Sequence, residues 1–191
     1  MTTQKLIGKF GAAIAVTVAV AFGLAAPTWA AEKKAPSKEA EKTLEVFKKA
    51  DPDLKKGLDE AAAYVVFPAI AKGAVGVGAA AGDGVLYEKG KETGSVKMTQ
   101  VTVGAQLGGQ SYSELILIKD AATLDNFKKG NVEFSAQASA VAIKAGASTT
   151  ADYENGVKVF TIAKSGLMFE ASVGGQTFKY TPYKAEKLGL R

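Results

Sequence analysis

The chain reads as an α+β protein, with N-terminal helices packed on a strongly curved, mostly antiparallel β-sheet or partial barrel that carries one inserted helix. Three observations predict it. Between Ser37 and Ala62 the apolar residues recur at spacings of three and four, the period of a helix with one buried face. From Tyr64 onward, β-branched and aromatic runs alternate with Gly-containing turn pairs, the pattern of antiparallel strands. Glycine is abundant, 21 of 191 residues, and much of it falls inside those runs, where it permits sharp coiling.

Each element follows in order. Ser37 can cap a helix whose buried face is Ala40, Leu44 and Phe47. Asp51-Pro52 restarts the chain, with Asp51 as cap and Pro52 at the first helical position, and Leu54, Leu58, Ala61 and Ala62 continue the apolar face. Both helices carry mixed charge on the outer side, which suits packing on a sheet better than lying in a membrane interface, where a basic face is usual. Strands are expected at Gly73 to Ala81, Val85 to Tyr87, Val96 to Leu107, Ser111 to Lys119, Val132 to Ala145, Lys158 to Ala163, Leu167 to Val173 and Thr177 to Tyr180. Asp83-Gly84, Asn155-Gly156, Ser165-Gly166 and Gly174-Gly175 are the expected turns. One helix interrupts the strands at about Ala121 to Lys129, with Leu124 and Phe127 inward. The strand from Val132 has an inward face made mostly of Ala, which would let another layer approach closely. In Val75-Gly76-Val77-Gly78 the valines occupy one face and the glycines the other, which suits tight coiling or contact with a flat partner.

The chain ends speak to compartment. Lys5 and Lys9, the apolar run Phe10 to Ala26 and the small residues of Thr28-Trp29-Ala30 make residues 1–30 a secretory signal. Residues 31–36 are a polar linker, 37–180 the folded domain and 181–191 a basic tail. The expected location is the periplasm or the outside of the cell, with peripheral membrane contact. There are no Cys residues, so a packed core rather than disulfides must hold the fold in that oxidising compartment.

Composition also removes chemistries. Without His or Cys the usual zinc ligands and the His- and Cys-based nucleophilic sites are missing. Gly76-Val77-Gly78 followed by Gly82 is one residue too long for a dinucleotide fingerprint and leads into Asp83-Gly84 rather than a helix. No phosphate-binding loop or Ser-x-x-Lys dyad occurs, and the carboxylates Asp152 and Glu154 stand beside a turn. Neither an enzyme nor a cofactor is indicated. The net charge is +5, and without Lys5 and Lys9 it is +3. Residues 31–60 are neutral overall, whereas the segment after Phe178 is +3, so a uniformly basic nucleic-acid surface is absent.

Ordered blocks carry a resemblance. Tyr64-Val65-Val66-Phe67-Pro68 is followed by Lys72-Gly73-Ala74-Val75-Gly76-Val77-Gly78-Ala79-Ala80-Ala81-Gly82-Asp83-Gly84-Val85, then by Gly104-Ala105-Gln106-Leu107-Gly108-Gly109-Gln110-Ser111. Gln137 to Ala142, Lys164 to Met168 and Ala171 to Gly175 continue the series. The order resembles the SYLF family of lipid-binding domains, also called Ysc84, from about Leu54 to Gly175. The resemblance implies a lipid-binding, non-enzymatic module. Eukaryotic members bind phosphoinositides and some associate with actin; secretion sets actin aside here and makes anionic phospholipid or another envelope lipid the expected partner. Lys72 stands at the family's lysine, while the family's arginine falls on Ala81, its second glycine on Ala79 and its aromatic on Val75. Gly73, Gly76, Gly78, Gly82, Gly84, Gly104 and Gly108 form the family glycine block.

The residues themselves point to the C-terminus as well. Phe178, Tyr180 and Tyr183 interleave with Lys179, Lys184 and Lys187, and Arg191 ends the chain. Aromatic rings favour the bilayer interface and lysines attract anionic headgroups. Lys72, Lys179, Lys184, Lys187, Arg191, Tyr180 and Tyr183 are therefore the candidate lipid-binding residues. An envelope protein or cell-wall interaction protein, and a carrier enclosing a hydrophobic ligand, are the alternative readings; oligomeric state is left open.

Overall fold

The computed structural model describes residues 37–130 and 140–183, with the backbone alone at 168–173. Helix α1 (Ser37–Ala50) buries Ala40, Thr43, Leu44 and Phe47, the stripe its spacing predicts. Helix α2 (Leu54–Glu60) starts later than Asp51-Pro52 suggests. Leu54 N–H donates to Asp51 O and Lys55 N–H to Pro52 O, so the corner is a tight turn before the helix proper. The Asp51 carboxylate is shared. It accepts from Asp53 N–H at 3.1 Å, but also from Gly146 N–H at 3.1 Å and Ser148 N–H at 2.7 Å, which ties the corner to the short helix α4 (Ala147–Thr150).

Among the described residues the strands are fewer and longer than expected. β1 (Ala63–Glu88) and β2 (Lys91–Ile118) form a continuous antiparallel hairpin, and β4 (Val157–Pro182) lies antiparallel on the far side of β2. A three-residue β3 (Ala140–Ala142) pairs parallel with β4, giving the order β1-β2-β4-β3 among the described residues. Three expected turns are not turns. Asp83-Gly84 lies inside β1, and Ser165-Gly166 and Gly174-Gly175 lie inside β4. The β1–β2 turn is instead Lys89-Gly90, both at positive φ (50° and 75°), as a two-residue hairpin requires. Asn155-Gly156 is a turn as expected, with φ of 51° and 81°.

Helix α3 (Ala121–Lys128) buries Leu124 and Phe127, as read from the sequence, and Asp120 caps it by accepting Thr123 N–H at 2.8 Å. Most of the strand expected from Val132 to Ala145 lies outside the described residues. Its described end is β3, and the chain has turned into α4 by Ala147.

The three long strands fold back on themselves. A Cβ on Gly82 would stand 2.7 Å from Ile70 Cγ1 and 2.9 Å from Ala69 O, and one on Gly84 would stand 2.6 Å from the Phe67 ring. The first half of β1 therefore lies directly on its second half, at a separation only glycine permits. The Phe67 and Phe178 rings, from opposite halves, are 6.0 Å apart.

Irregularities supply the curvature. Pairing shifts between Phe67 and Ile70, between Val75 and Val77, and on the β2–β4 side between Ser111 and Tyr112. Bulges of this kind bend a strand and increase its twist. Pro68 sits in the first, where a missing N–H is tolerated, and its carbonyl accepts Ser113 Oγ at 2.7 Å and Lys164 Nζ at 2.9 Å.

The core has two sides. Val65, Phe67, Ile70, Leu86, Met98, Ile116, Ile118, Val159 and Phe178 fill the space inside the fold-back together with Phe127 of α3. Tyr64, Val66, Val85, Tyr87, Leu115, Leu117 and Phe160 face the other way, toward Ala40, Leu44, Phe47 and Leu54 of the helices. Consecutive residues of Tyr64–Phe67 thus serve different clusters, which explains an unbroken apolar run in place of alternation.

Candidate lipid-facing surface

Toward the bend the usual partition of a sheet is inverted. Outward positions are apolar: Val75 and Val77 on β1, Val101, Val103 and Leu107 on β2, and Leu167 on β4 are 58–91% exposed. Inward positions are polar: Lys72, Gln100, Thr102, Gln106 and Gln176 are all buried. Contiguous apolar exposure of this kind is uncommon on a monomeric soluble protein and marks an interaction surface.

Register arranges the outer face in rows. Val75 stands opposite Leu107, Val77 opposite Val103, and Ala79 opposite Val101. Next comes Ala81–Thr99–Thr177, where the two threonine hydroxyls are 2.8 Å apart, and then Asp83–Lys97–Lys179. Lys97 and Lys179 are both exposed. An apolar band therefore ends in a hydroxyl row and then a row of two cations and one carboxylate.

The polar interior is built to hold the bend. Gln106 lies inside the bulge, where Nε2 donates to Gly76 O and to Thr102 O, each at 3.0 Å, and Oε1 accepts Thr102 Oγ1 at 2.8 Å. It thereby satisfies the Gly76 carbonyl, which the interrupted ladder leaves without a β2 partner, together with that of Thr102. Gln176 Nε2 donates to Glu114 Oε2 at 3.0 Å, and Tyr112 Oη donates to Gln100 Oε1 at 3.5 Å, so two polar contacts bridge the halves of the fold-back. Glu114 is 1% exposed, and burial pushes its carboxyl up to about 7, a rise the Gln176 hydrogen bond only partly offsets. Glu114 Oε1 and Gln176 Oε1 have no hydrogen-bond partner among the described residues.

The candidate residues scatter. Lys72 is buried on the inward face rather than presented to solvent. Lys179 is exposed in the cationic row. Tyr180 is half-buried: its hydroxyl donates to Thr93 O at 3.1 Å and Lys128 Nζ lies 5.7 Å from its ring centre. Tyr183 continues the edge through its N–H to Thr93 O at 2.9 Å, and burial raises its phenol above the ordinary value. Lys184, Lys187 and Arg191 lie outside the described residues. The glycine block is architectural where it is described in full: Gly82 and Gly84 allow the fold-back, Gly76 has φ 71° at the bulge, and a Cβ on Gly78 would strike Thr102 and Gln106. Gly104 and Gly108 also have positive φ, and Gly73 has open space around it.

The apolar band and Lys97 were not singled out by sequence reasoning. Their signal is alternation, in Val75-Gly76-Val77-Gly78 and from Lys97 to Val103, and in the second both sets, Thr99-Val101-Val103 and Met98-Gln100-Thr102, could have been the inner one.

Residues 99–187 match the family model described as "Ysc84: Las17-binding protein actin regulator". Over these residues, a little under half of the chain, the sequence is similar to the Ysc84 family. The Ysc84 stretch begins within the first half of β2 and includes all of β4, so it carries most of two of the three strands of the apolar face. It leaves out the Lys72–Val85 glycine block. The chain is also similar to "Beta cell expansion factor A" of Aeromonas veronii, at 33% identity over 98 residues, which is 51% of this chain and 37% of that protein. The chain thus spans little more than a third of that curated relative. Ysc84, or SYLF, domains are known as lipid-binding domains.

Proposed function

We propose that the chain is an exported, non-enzymatic lipid-binding module that works at a membrane surface and takes anionic phospholipid or a similar envelope lipid. One observation carries the reading: the Ysc84 stretch contributes the outward apolar side chains Val101, Val103, Leu107 and Leu167, next to the exposed Lys97 and Lys179. Side chains of Val and Leu size each favour transfer out of water by about 1.5–3 kcal/mol, so six together give a strong gross attraction before the costs of association. The N-terminal signal motif supports export. The carrier reading has less behind it, because Phe67, Ile70, Met98 and Phe178 occupy the interior of the fold-back.

Co-sedimentation of the purified protein with vesicles of different headgroups tests this. Binding to anionic vesicles that weakens as salt is raised is the expected result. Failure to sediment with vesicles of any composition would overturn the reading.

A further inference from the structure

We propose that the bent end of the sheet docks face-on into one leaflet, with Val75, Val77, Val101, Val103, Leu107 and Leu167 in the acyl region and Lys97 and Lys179 at headgroup level. The inference rests on the lipid-binding reading and adds to it an orientation and a depth. The inverted partition is the first ground. An apolar exterior over a polar interior is the pattern of strands that face lipid rather than water. Here it is confined to the bend, while the rest of the sheet keeps an apolar interior.

Charge placement is the second ground. The outer face passes from apolar rows through Thr99–Thr177 to Lys97 and Lys179, with Asp83 the acidic member of that row. From Val103 to Lys97 the strand takes six residue steps, about 20 Å at the usual rise. The lysines therefore stand at the rim of the apolar band, where their long side chains meet phosphates while the valines are immersed.

The backbone sets the depth. β1 is an edge strand among the described residues, and open sheet edges are not tolerated inside hydrocarbon. Side chains therefore enter while the strands stay at the boundary, about 5–10 Å deep, as interfacial elements do. Gln106 suits this position, because it satisfies the Gly76 and Thr102 carbonyls from within and needs no water.

The chain contains no Cys, so single-cysteine variants accept an environment-sensitive fluorophore at one site. Val103→Cys labels the apolar band and Lys55→Cys labels exposed α2 as a control. With phosphatidylglycerol–phosphatidylcholine vesicles, the label at 103 should shift to shorter wavelength and be quenched by lipids spin-labelled near the top of the acyl chain. The label at 55 should do neither. Val101→Ser, Val103→Ser and Leu107→Ser combined should weaken vesicle binding roughly tenfold or more, because three apolar side chains are lost from the contact. The thermal midpoint should stay close to that of the parent, since all three are exposed. A parent protein that sediments with vesicles while the label at 103 remains water-exposed, or while the serine variant binds equally, overturns this inference and leaves the lipid-binding reading standing. The same holds if the serine variant only converts a dimer to a monomer, which would assign the face to a second copy. A parent protein that binds no vesicle overturns both.

Discussion

Gln106 shows how one side chain makes a sheet bend possible. The register shift between Val75 and Val77 leaves Gly76 without a ladder partner on β2, and the Gln106 amide serves its carbonyl as well as that of Thr102. Leaving buried carbonyls unsatisfied costs about 1–3 kcal/mol each. Gln106→Leu should therefore lower the thermal midpoint by several degrees, whereas Gly73→Ala, at a site with open space, should leave it unchanged; calorimetry on both variants checks the contrast. Glu114 makes a second prediction at this scale. Its carboxyl is raised from 4.5 to about 7 in the folded protein, so the native state holds a proton that the unfolded chain has released. Stability must then fall as pH rises from 4.5 toward 7 and level off above, by an amount of order 3 kcal/mol from this group. Glu114→Gln should flatten that slope in denaturant titrations from pH 4.5 to 8. An unaltered slope would show that Glu114 does not cause it.

Among the elements, β1 is the one whose length departs most from its local signals. Asp83-Gly84 has the composition of a hairpin turn, yet Gly84 is spent on a backbone crossing, and the turn falls at Lys89-Gly90. Gly82→Val and Gly84→Val should each destabilise by about 1–3 kcal/mol, because the new side chain meets Ala69 O or the Phe67 ring rather than solvent. Urea midpoints lowered in both, against an unaffected Gly73→Ala, are the expected outcome. The Asp51 corner works across elements too. Burial pushes its carboxyl up, but hydrogen bonds from Ser148, Gly146 and Asp53 outweigh it and hold the pKa below 3.8. The stabilisation is present above that value and is lost as pH falls through the lowered pKa, the opposite of Glu114. Asp51→Asn should remove this acid-side loss and loosen α4 against the α1–α2 corner, read as faster amide exchange at Ser148.

For the whole molecule, export and membrane attraction are separable. Because the basic start, apolar run and Thr28-Trp29-Ala30 site occur together, the mature chain is expected to begin at Ala31, and intact mass from a periplasmic extract checks it. A mass retaining residues 1–30 would remove that expectation. Replacing Lys179, Lys184 and Lys187 by Gln should reduce binding to anionic vesicles and flatten its salt dependence, while neutral-vesicle binding, if carried by the apolar band, stays the same. Equal anionic binding by the parent and the variant would remove these lysines from the interface.

Some of this was decided locally and is legible in residue order. The 4–3 spacing of Ala40, Leu44 and Phe47 determines the buried stripe of α1, and Leu124 and Phe127 do the same for α3, because helical neighbours meet within one turn of chain. Asn155-Gly156 determines its turn for the same reason. The α+β class was likewise readable, and so were the family blocks that fall within residues 99–187. What the residues could not decide is which side of a strand faces inward. A period of two divides Val75-Gly76-Val77-Gly78 and Lys97 to Val103 into two sets without saying which is covered. Only the fold-back of the three long strands does that, through contacts between residues distant in sequence, such as Phe67 with Phe178 and Glu114 with Gln176. It turns Gln100, Thr102 and Lys72 inward, leaves the valines outside, and so creates the surface on which the proposed function rests.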